Sequence, residues 1–401
     1  MVPIVSRLEY SAALTKSVRH PPMSAVRFVF ALLCLLVSSL VLFKVPDLFL
    51  WQLKVAASEY GHWCALVAVA LVFVGRRQSL LDSLSVLLAI AAAAIFMSTS
   101  IRAMMLVDTA RSKMNATFPA PAGAPKVPGP FSFVRLWTFS GTKPVEVDTI
   151  EYNHLAGQTL DLDFYPADVR SGASPCLVVI HGGGWDDGSR KEFASSSHRL
   201  ARRGISVAAL DYRLAPGSTW PAQAEDVRIA ISVLKGQSDA LAIDPKKFIL
   251  MGRSAGGQIA EAVAASGKIP EVVGCIALYA PADMHFAFKY ASKNDIVDSG
   301  KLLKQYLGGS PVEAKAAYDS ASAYGLVSRR TVPMLLIHGL NDEIVWYEQS
   351  HRLAERLAQN GVKHVYLEVP WATHAFDHNP DGPGGQLALW AIERFVRSVA
   401  Q

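Results

Sequence analysis

Pro175-Cys176-Leu177-Val178-Val179-Ile180-His181-Gly182-Gly183-Gly184-Trp185 and Phe248-Ile249-Leu250-Met251-Gly252-Arg253-Ser254-Ala255-Gly256-Gly257 decide the fold. Each is a short apolar run that ends in glycines. Such a run, bounded by turn residues, predicts a strand buried on both faces. In the second stretch, glycines around Ser254 let the chain turn sharply from strand into helix and lift the hydroxyl clear of the sheet. In the first, the glycine run exposes backbone N–H groups that can hold a developing oxyanion. A raised serine beside a set of amide donors points to acyl-transfer chemistry.

The pattern extends outward from these two stretches. From about residue 145, Leu160, Leu162 and Phe164 alternate with polar residues, as in an edge strand. Apolar runs predict further strands over 177–180, 206–210, 248–251, 273–279, 334–338 and 365–369. Helical stretches fall between them over 192–203, 222–234, 254–266, 348–359 and 387–399. Strands alternating with helices make an α/β protein whose mostly parallel sheet is covered on both faces. Ligands in such sheets bind at the carboxyl ends of the strands, where both glycine stretches lie. Residues 284–328 fall between two core strands and read as a lid insertion, with Phe286, Phe288 and Tyr290 as pocket lining.

A serine hydroxyl is a weak nucleophile and needs a base within hydrogen-bond reach. His374, in Trp371-Ala372-Thr373-His374-Ala375-Phe376, is the candidate, with His378 as the alternative. Asp342, in His338-Gly339-Leu340-Asn341-Asp342-Glu343-Ile344-Val345, follows a buried strand and can hold the histidine's Nδ1–H. Glu343 and Asp283 are its rivals. The N–H groups of Gly183, Gly184 and Ala255 are the candidate oxyanion donors. His181 reads as a residue that orients the glycine loop, and Asp211-Tyr212-Arg213-Leu214-Ala215-Pro216 as a salt-bridged turn near the mouth of the site. No histidine or cysteine set has metal-ligand spacing, so no metal or cofactor is expected.

Composition adds a second part. The 401-residue chain is 51% hydrophobic, and the excess sits in the first quarter. The net charge of +5 includes no long Lys/Arg run, so nucleic acid is not an expected partner. The four cysteines, Cys34, Cys64, Cys176 and Cys275, read as buried apolar fillers. Apolar segments over 28–43, 60–75 and 83–101 approach the length of about 17–25 residues that a membrane span needs. Residues 1–110 are therefore expected to form a membrane module of about three transmembrane helices. A Pro/Gly-rich linker over 111–144 and a catalytic domain over 145–401 follow. Arg7, Lys16, Arg19 and Arg27 before the first segment, and Arg76-Arg77 between the second and third, favour the cytoplasm. Three crossings then make a multi-pass protein with its catalytic domain on the extracytoplasmic face. Arg102, Arg111 and Lys113 pull the other way.

The elements HGGGW (181–185), DYRLAP (211–216), GRSAGG (252–257), HGLND (338–342) and THAF (373–376) resemble the hormone-sensitive-lipase-type bacterial carboxylesterases of the α/β-hydrolase superfamily. Leu307-Gly308-Gly309-Ser310-Pro311 is similar to their feruloyl-esterase-like branch. The resemblance covers about residues 145–400. It implies an α/β-hydrolase fold and hydrolysis of carboxylic esters, from a small molecule or a lipid, through an acyl-serine intermediate. Ser254 would be the nucleophile, Asp342 the acid and His374 the base. Arg253 departs from the pattern, since an acidic residue often stands there, and it would set a positive charge beside the serine. The N-terminal module also departs from it, taking the place of an N-terminal cap. Two other readings are a serine peptidase or amidase of the prolyl-oligopeptidase kind, and a non-catalytic binding module that keeps an inert hydrolase fold.

Overall fold

The computed structural model describes residues 23–74, 79–120, 127–138, 142–155, 157–168, 172–291 and 295–401. Arg7, Lys16, Arg19, Arg76 and Arg77, on which the topology reading leans, lie outside them, as does part of the Pro/Gly-rich stretch.

Eight strands form one sheet: β1 (Asp148–Leu155), β2 (Gln158–Tyr165), β3 (Ser174–Ile180), β4 (Ser206–Leu210), β5 (Ile243–Arg253), β6 (Val272–Leu278), β7 (Met334–Gly339) and β8 (His364–Val369). Their order is β1-β2-β4-β3-β5-β6-β7-β8. β1 and β2 run antiparallel to their neighbours and the other pairings are parallel. The strand over Leu160, Leu162 and Phe164 is thus not the edge. β1 lies outside it, with Ile150 opposite Leu162. β1 is largely exposed and its composition is too polar to declare a strand.

Successive side chains of a strand point to opposite faces. Val178, Ile180, Phe248 and Leu250 enter one core, closed by Val227, Ile231 and Ile259. Leu177, Val179, Ile249 and Met251 enter the other, closed by Leu387, Ile392 and Phe395 of the helix Pro383–Val399. That second core also holds Ala103, Ala110, Met114 and Phe118, which come from the N-terminal part of the chain.

This N-terminal part has four helices: α1 (Met23–Ser39), α2 (Leu48–Glu59), α3 (Gly61–Phe73) and α4 (Leu80–Thr117). Ser79 and Asp82 start α4 with reciprocal caps. α4 has 38 residues, about 57 Å at 1.5 Å per residue. Among the described residues it is the one helix long and apolar enough to cross a membrane, or one of two if α2 and α3, bent by 81°, count as a broken span. The expectation of three spanning helices is corrected accordingly: α1 has 17 residues and α3 has 13. α4 continues through residue 110 onto the hydrophobic face of the sheet. There Lys113 Nζ donates to Tyr366 O (3.1 Å) and Arg394 Nη2 to Asn115 Oδ1 (2.9 Å). The segment after it folds back as the short helix Phe133–Trp137, whose Trp137 meets Trp63 of α3 edge-on at 5.3 Å. Cys176 and Cys275 are buried in strands, whereas Cys34 and Cys64 are only half-buried between α1, α3 and α4.

Phe118 packs edge-on against Phe395 at 4.9 Å and is buried. Phe118→Ala is expected to destabilise the catalytic domain by about 3–5 kcal/mol. Phe133→Ala, at a 47% exposed position, should stay within about 0.5 kcal/mol. Denaturant unfolding in detergent, followed by tryptophan fluorescence, measures both.

Candidate active site

β5 ends at Arg253 and the next helix, Ala255–Ser266, begins at once. Ser254 between them has φ 51° and ψ −121°, a conformation that costs a non-glycine residue about 1–3 kcal/mol. Close packing enforces it. A Cβ on Gly252 would lie 2.1 Å from Gly256 O, and one on Gly256 would lie 2.2 Å from His181 O and 2.3 Å from Ile180 O. Glycine is required at both positions because backbone occupies the space a side chain would need. Ser254 N donates to Leu278 O at 3.0 Å, which fixes the turn to β6. Ala255 is the first residue of its helix, so its N–H has no acceptor within the helix.

The glycine loop leaves β3 beside this turn. Gly183 and Gly184 have φ 95° and 59°, and a Cβ on Gly183 would meet Asp187 O at 2.1 Å. The loop is held from outside. Tyr212 Oη donates to His181 O and Gly182 O, both at 3.2 Å, and its ring stacks on His181 at 4.2 Å. His181 Nδ1 lies 2.8 Å from Gly182 O. His181 therefore orients the loop, and Tyr212 of the DYRLAP turn braces it. Asp211 and Arg213 of that turn pair with Arg190 and Asp226. Trp185 Nε1 and Tyr306 Oη both donate to Gln258 Oε1, at 3.0 and 2.9 Å.

Asp342 lies just past β7, fully buried. Its Oδ1 accepts from the N–H groups of Ile344 and Val345, each at 2.9 Å, and its Oδ2 accepts from His374 Nδ1 at 2.7 Å. His338 Nε2 is 3.4 Å from the same oxygen and also donates to Val345 O at 2.9 Å. Burial pushes the Asp342 carboxyl up. The attraction of His374 and hydrogen bonds from His338 and His374 pull harder, so it sits well below the usual carboxylate range. His374 follows β8, and its ring lies 4.5 Å from that of Tyr279 and 6.5 Å from that of Trp51.

Ser254, Asp342, His374, Gly183, Gly184 and Ala255 all line one cavity of about 990 Å³. All six predicted site residues thus meet in one place. The rivals are placed elsewhere or otherwise engaged. Glu343 lines the same cavity but pairs with Lys54 and Thr373. Asp283 caps the helix Met284–Tyr290 and pairs with Arg352 at 2.9 Å. The His378 ring packs against Phe193. Phe286 and Tyr290 of the insertion line the cavity, whereas Phe288 turns away onto Tyr318. Arg253 does not face the cavity, contrary to the concern raised by its position. Its Nε donates to Asp377 Oδ2 at 2.6 Å, Tyr279 Oη donates to Asp377 Oδ1 at 2.5 Å, and the guanidinium lies 3.8 Å from the centre of the Phe193 ring.

Sequence reasoning missed the contribution of α2 and the turn before it. Val45, Pro46, Leu48 and Trp51 line the cavity, and Lys54 is buried beside Asp342's neighbour Glu343. The one available signal was Lys54 itself, the sole basic residue of the helix Leu48–Glu59.

The BD-FAE family model matches residues 162–357. The probable carboxylic ester hydrolase LipM of Mycobacterium tuberculosis is 28% identical over 296 residues, covering 70% of this chain and 67% of that protein. Esterase LipC of the same organism is 27% identical over 294 residues, covering 70% of each. A hyperthermophilic esterase from the archaeon Pyrobaculum calidifontis superposes with a TM-score of 0.56 at 24% identity, over 65% of this chain and 86% of that one. A bacterial heroin esterase gives 0.56 at 23%, over 66% and 86%. The structural likenesses establish the α/β-hydrolase fold, and the resemblance read from the motifs is borne out.

The lowered Asp342 carboxyl has a consequence for stability. A carboxyl whose folded pKa lies below its unfolded value of about 3.9 stabilises fully above that value and loses the contribution as pH falls. The stability gap between the wild-type chain and Asp342→Asn should therefore be widest near neutral pH and close as pH drops past about 4. Denaturant titrations across this range measure it. A gap that grows on acidification contradicts the electrostatic account.

Proposed function

We propose that this chain, a serine hydrolase of the α/β-hydrolase type, cleaves carboxylic esters through an acyl-serine intermediate at a membrane. The observation that carries the reading is the 2.7 Å hydrogen bond between Asp342 and His374 in the cavity that Ser254 also lines. Ser254 Oγ attacks the ester carbonyl as His374 Nε2 takes its proton. Asp342 holds the Nδ1–H and stabilises the imidazolium that forms. The N–H groups of Gly183, Gly184 and Ala255 receive the oxyanion. Collapse expels the alcohol, which recovers the proton from His374. Water repeats the sequence on the acyl-serine and releases the acid.

The N-terminal helices supply the membrane part of the reading. Ala65 and Ala68 of α3 and Ala92, Ala93 and Phe96 of α4 form a small core that Leu35 and Val37 of α1 join. Alanine-rich contacts of this kind let helices approach closely in lipid. The outer surfaces stay apolar: Phe30 and Leu33 of α1, Val67 and Phe73 of α3, and Leu87 and Ile90 of α4 are exposed. α4 crosses the bilayer. α1 and α3, with 17 and 13 residues, reach only about 26 and 20 Å and lie against it. The bend between α2 and α3 sits beside the end of α4's apolar stretch, where Thr99 Oγ1 donates to Ser58 O at 3.1 Å. α2 then lies at the surface between bundle and hydrolase. With Arg76 and Arg77 before α4 on the cytoplasmic side, the hydrolase faces the extracytoplasmic side. Leu48 lines the cavity and is itself exposed next to Phe43 and Phe49. That continuity suits small or lipid esters dissolved in the membrane.

Ser254→Ala should lower turnover of short p-nitrophenyl esters by about 10⁴ or more without unfolding the domain. A fluorophosphonate probe should label the wild type and not the variant. Faster cleavage of amides than of matched esters would favour a peptidase or amidase, and folded protein inert to both assays a binding module. Alkaline carbonate should leave the full chain in the membrane pellet. Release into the supernatant would remove the membrane anchor from this reading.

A further inference from the structure

Lys54 belongs to α2, yet its partner Glu343 lies 289 residues later in the hydrolase. Both side chains are buried, with 1% and 5% exposure. Lys54 Nζ donates to Glu343 Oε1 and to Phe43 O (3.1 Å), and lies 3.5 Å from Asn341 O. The other carboxylate oxygen, Glu343 Oε2, accepts from Thr373 Oγ1 at 2.6 Å. Glu343 directly follows Asp342, and Thr373 directly precedes His374. One buried carboxylate therefore ties the loop of the proposed acid to the loop of the proposed base. Lys54 is the cation that balances it.

We propose that Lys54 is a positioning residue, holding Asp342 and His374 in register through Glu343 and Thr373, so that the N-terminal module is part of the working site. The inference rests on the esterase reading above. Its physical basis is the cost of leaving a buried charge alone. Without Lys54, Glu343 must bind a proton or turn toward water. Either response weakens its hold on Thr373 and frees the His374 loop. A displacement of about 1 Å at a catalytic group can cost about 10²-fold in rate. A lysine that merely fastened α2 to the hydrolase would instead change how much protein folds and leave each folded copy's turnover intact.

The test uses the full chain in detergent, p-nitrophenyl butyrate as substrate, and fluorophosphonate titration to count working sites. Lys54→Met should lower kcat per titrated site by about 10- to 100-fold, with KM within about threefold of wild type. Adding Glu343→Gln to it removes the stranded charge and keeps an acceptor for Thr373. The double variant should recover to within about fivefold of wild type. Arg394→Gln, which loosens α4 from the hydrolase elsewhere, should leave kcat per site unchanged. Wild-type turnover per site in Lys54→Met overturns the proposal, as does a double variant no better than the single one. Should Lys54→Met not fold, Thr373→Val cuts the same tie without stranding a charge. It should lower kcat about tenfold at unchanged KM, and normal turnover there overturns the proposal. A wild-type chain that neither turns over nor takes the probe fails the esterase reading itself, a distinct result.

Discussion

The backbone of the turn at Ser254 is pressed against the end of β3, and the rest of the site follows from that contact. Gly256 lies against the carbonyls of Ile180 and His181, too close for any side chain. The elbow therefore cannot form unless β3 and β5 are neighbours in register, with Ile180 opposite Gly252. That register also delivers the glycine loop to the side of the serine. One steric constraint thus sets both the strained turn at Ser254 and the position of the N–H groups proposed to serve it. The strain at Ser254 persists because strand pairing on both sides and the helix behind it leave the backbone no other path.

Charge is arranged around this turn in two separate groups. Facing the cavity, Asp342 is held ionised by two backbone N–H groups and by His374, despite complete burial. Behind the elbow, Arg253 is matched by Asp377, which Tyr279 also contacts. The positive charge next to Ser254 in sequence is thereby spent on the protein's own carboxylate and not presented to substrate. Tyr279 stands between the groups, with its ring against His374 and its hydroxyl on Asp377.

The legible parts of the chain are those where geometry demands a particular residue. Glycine at 252 and 256, the glycine loop, and acid and histidine after successive strands can each be read from sequence, because backbone packing or proton transfer admits few substitutes. The interior strands are equally plain, since burial on both faces leaves only apolar residues. β1 is not legible: it is a largely exposed edge strand that sends Tyr152 into the core, with Ile150 and Leu155 half-buried beside it, among polar residues that hide the pattern. The reach of α4 is not legible either. Its apolar run ends near Ile101 and Arg102, Asp108, Arg111 and Lys113 follow, so the change of composition falls inside the helix and does not mark its end at Thr117. α2 was missed because its 12 residues combine Lys54 and Glu59 with an apolar face, and each charge has its partner more than 280 residues away.

Those distant partners say what kind of joint links the two parts. An apolar joint between module and hydrolase could slide, since hydrophobic contact has no direction. This one is pinned by directional groups: Lys54 to Glu343, Asn379 Nδ2 to Glu59 O at 3.1 Å, Gly384 N to Glu59 Oε2 at 3.1 Å, and Arg394 to Asn115. Each is at least partly shielded from water, and breaking any one leaves a polar group without compensation. The cost of a shift is therefore steep in every direction across the joint. Trp51, carried on the same helix as Lys54, lies beside His374 with the ring centres 6.5 Å apart. A helix that falls outside all three apolar segments of the sequence is in this way part of the wall of the cavity that Ser254 lines.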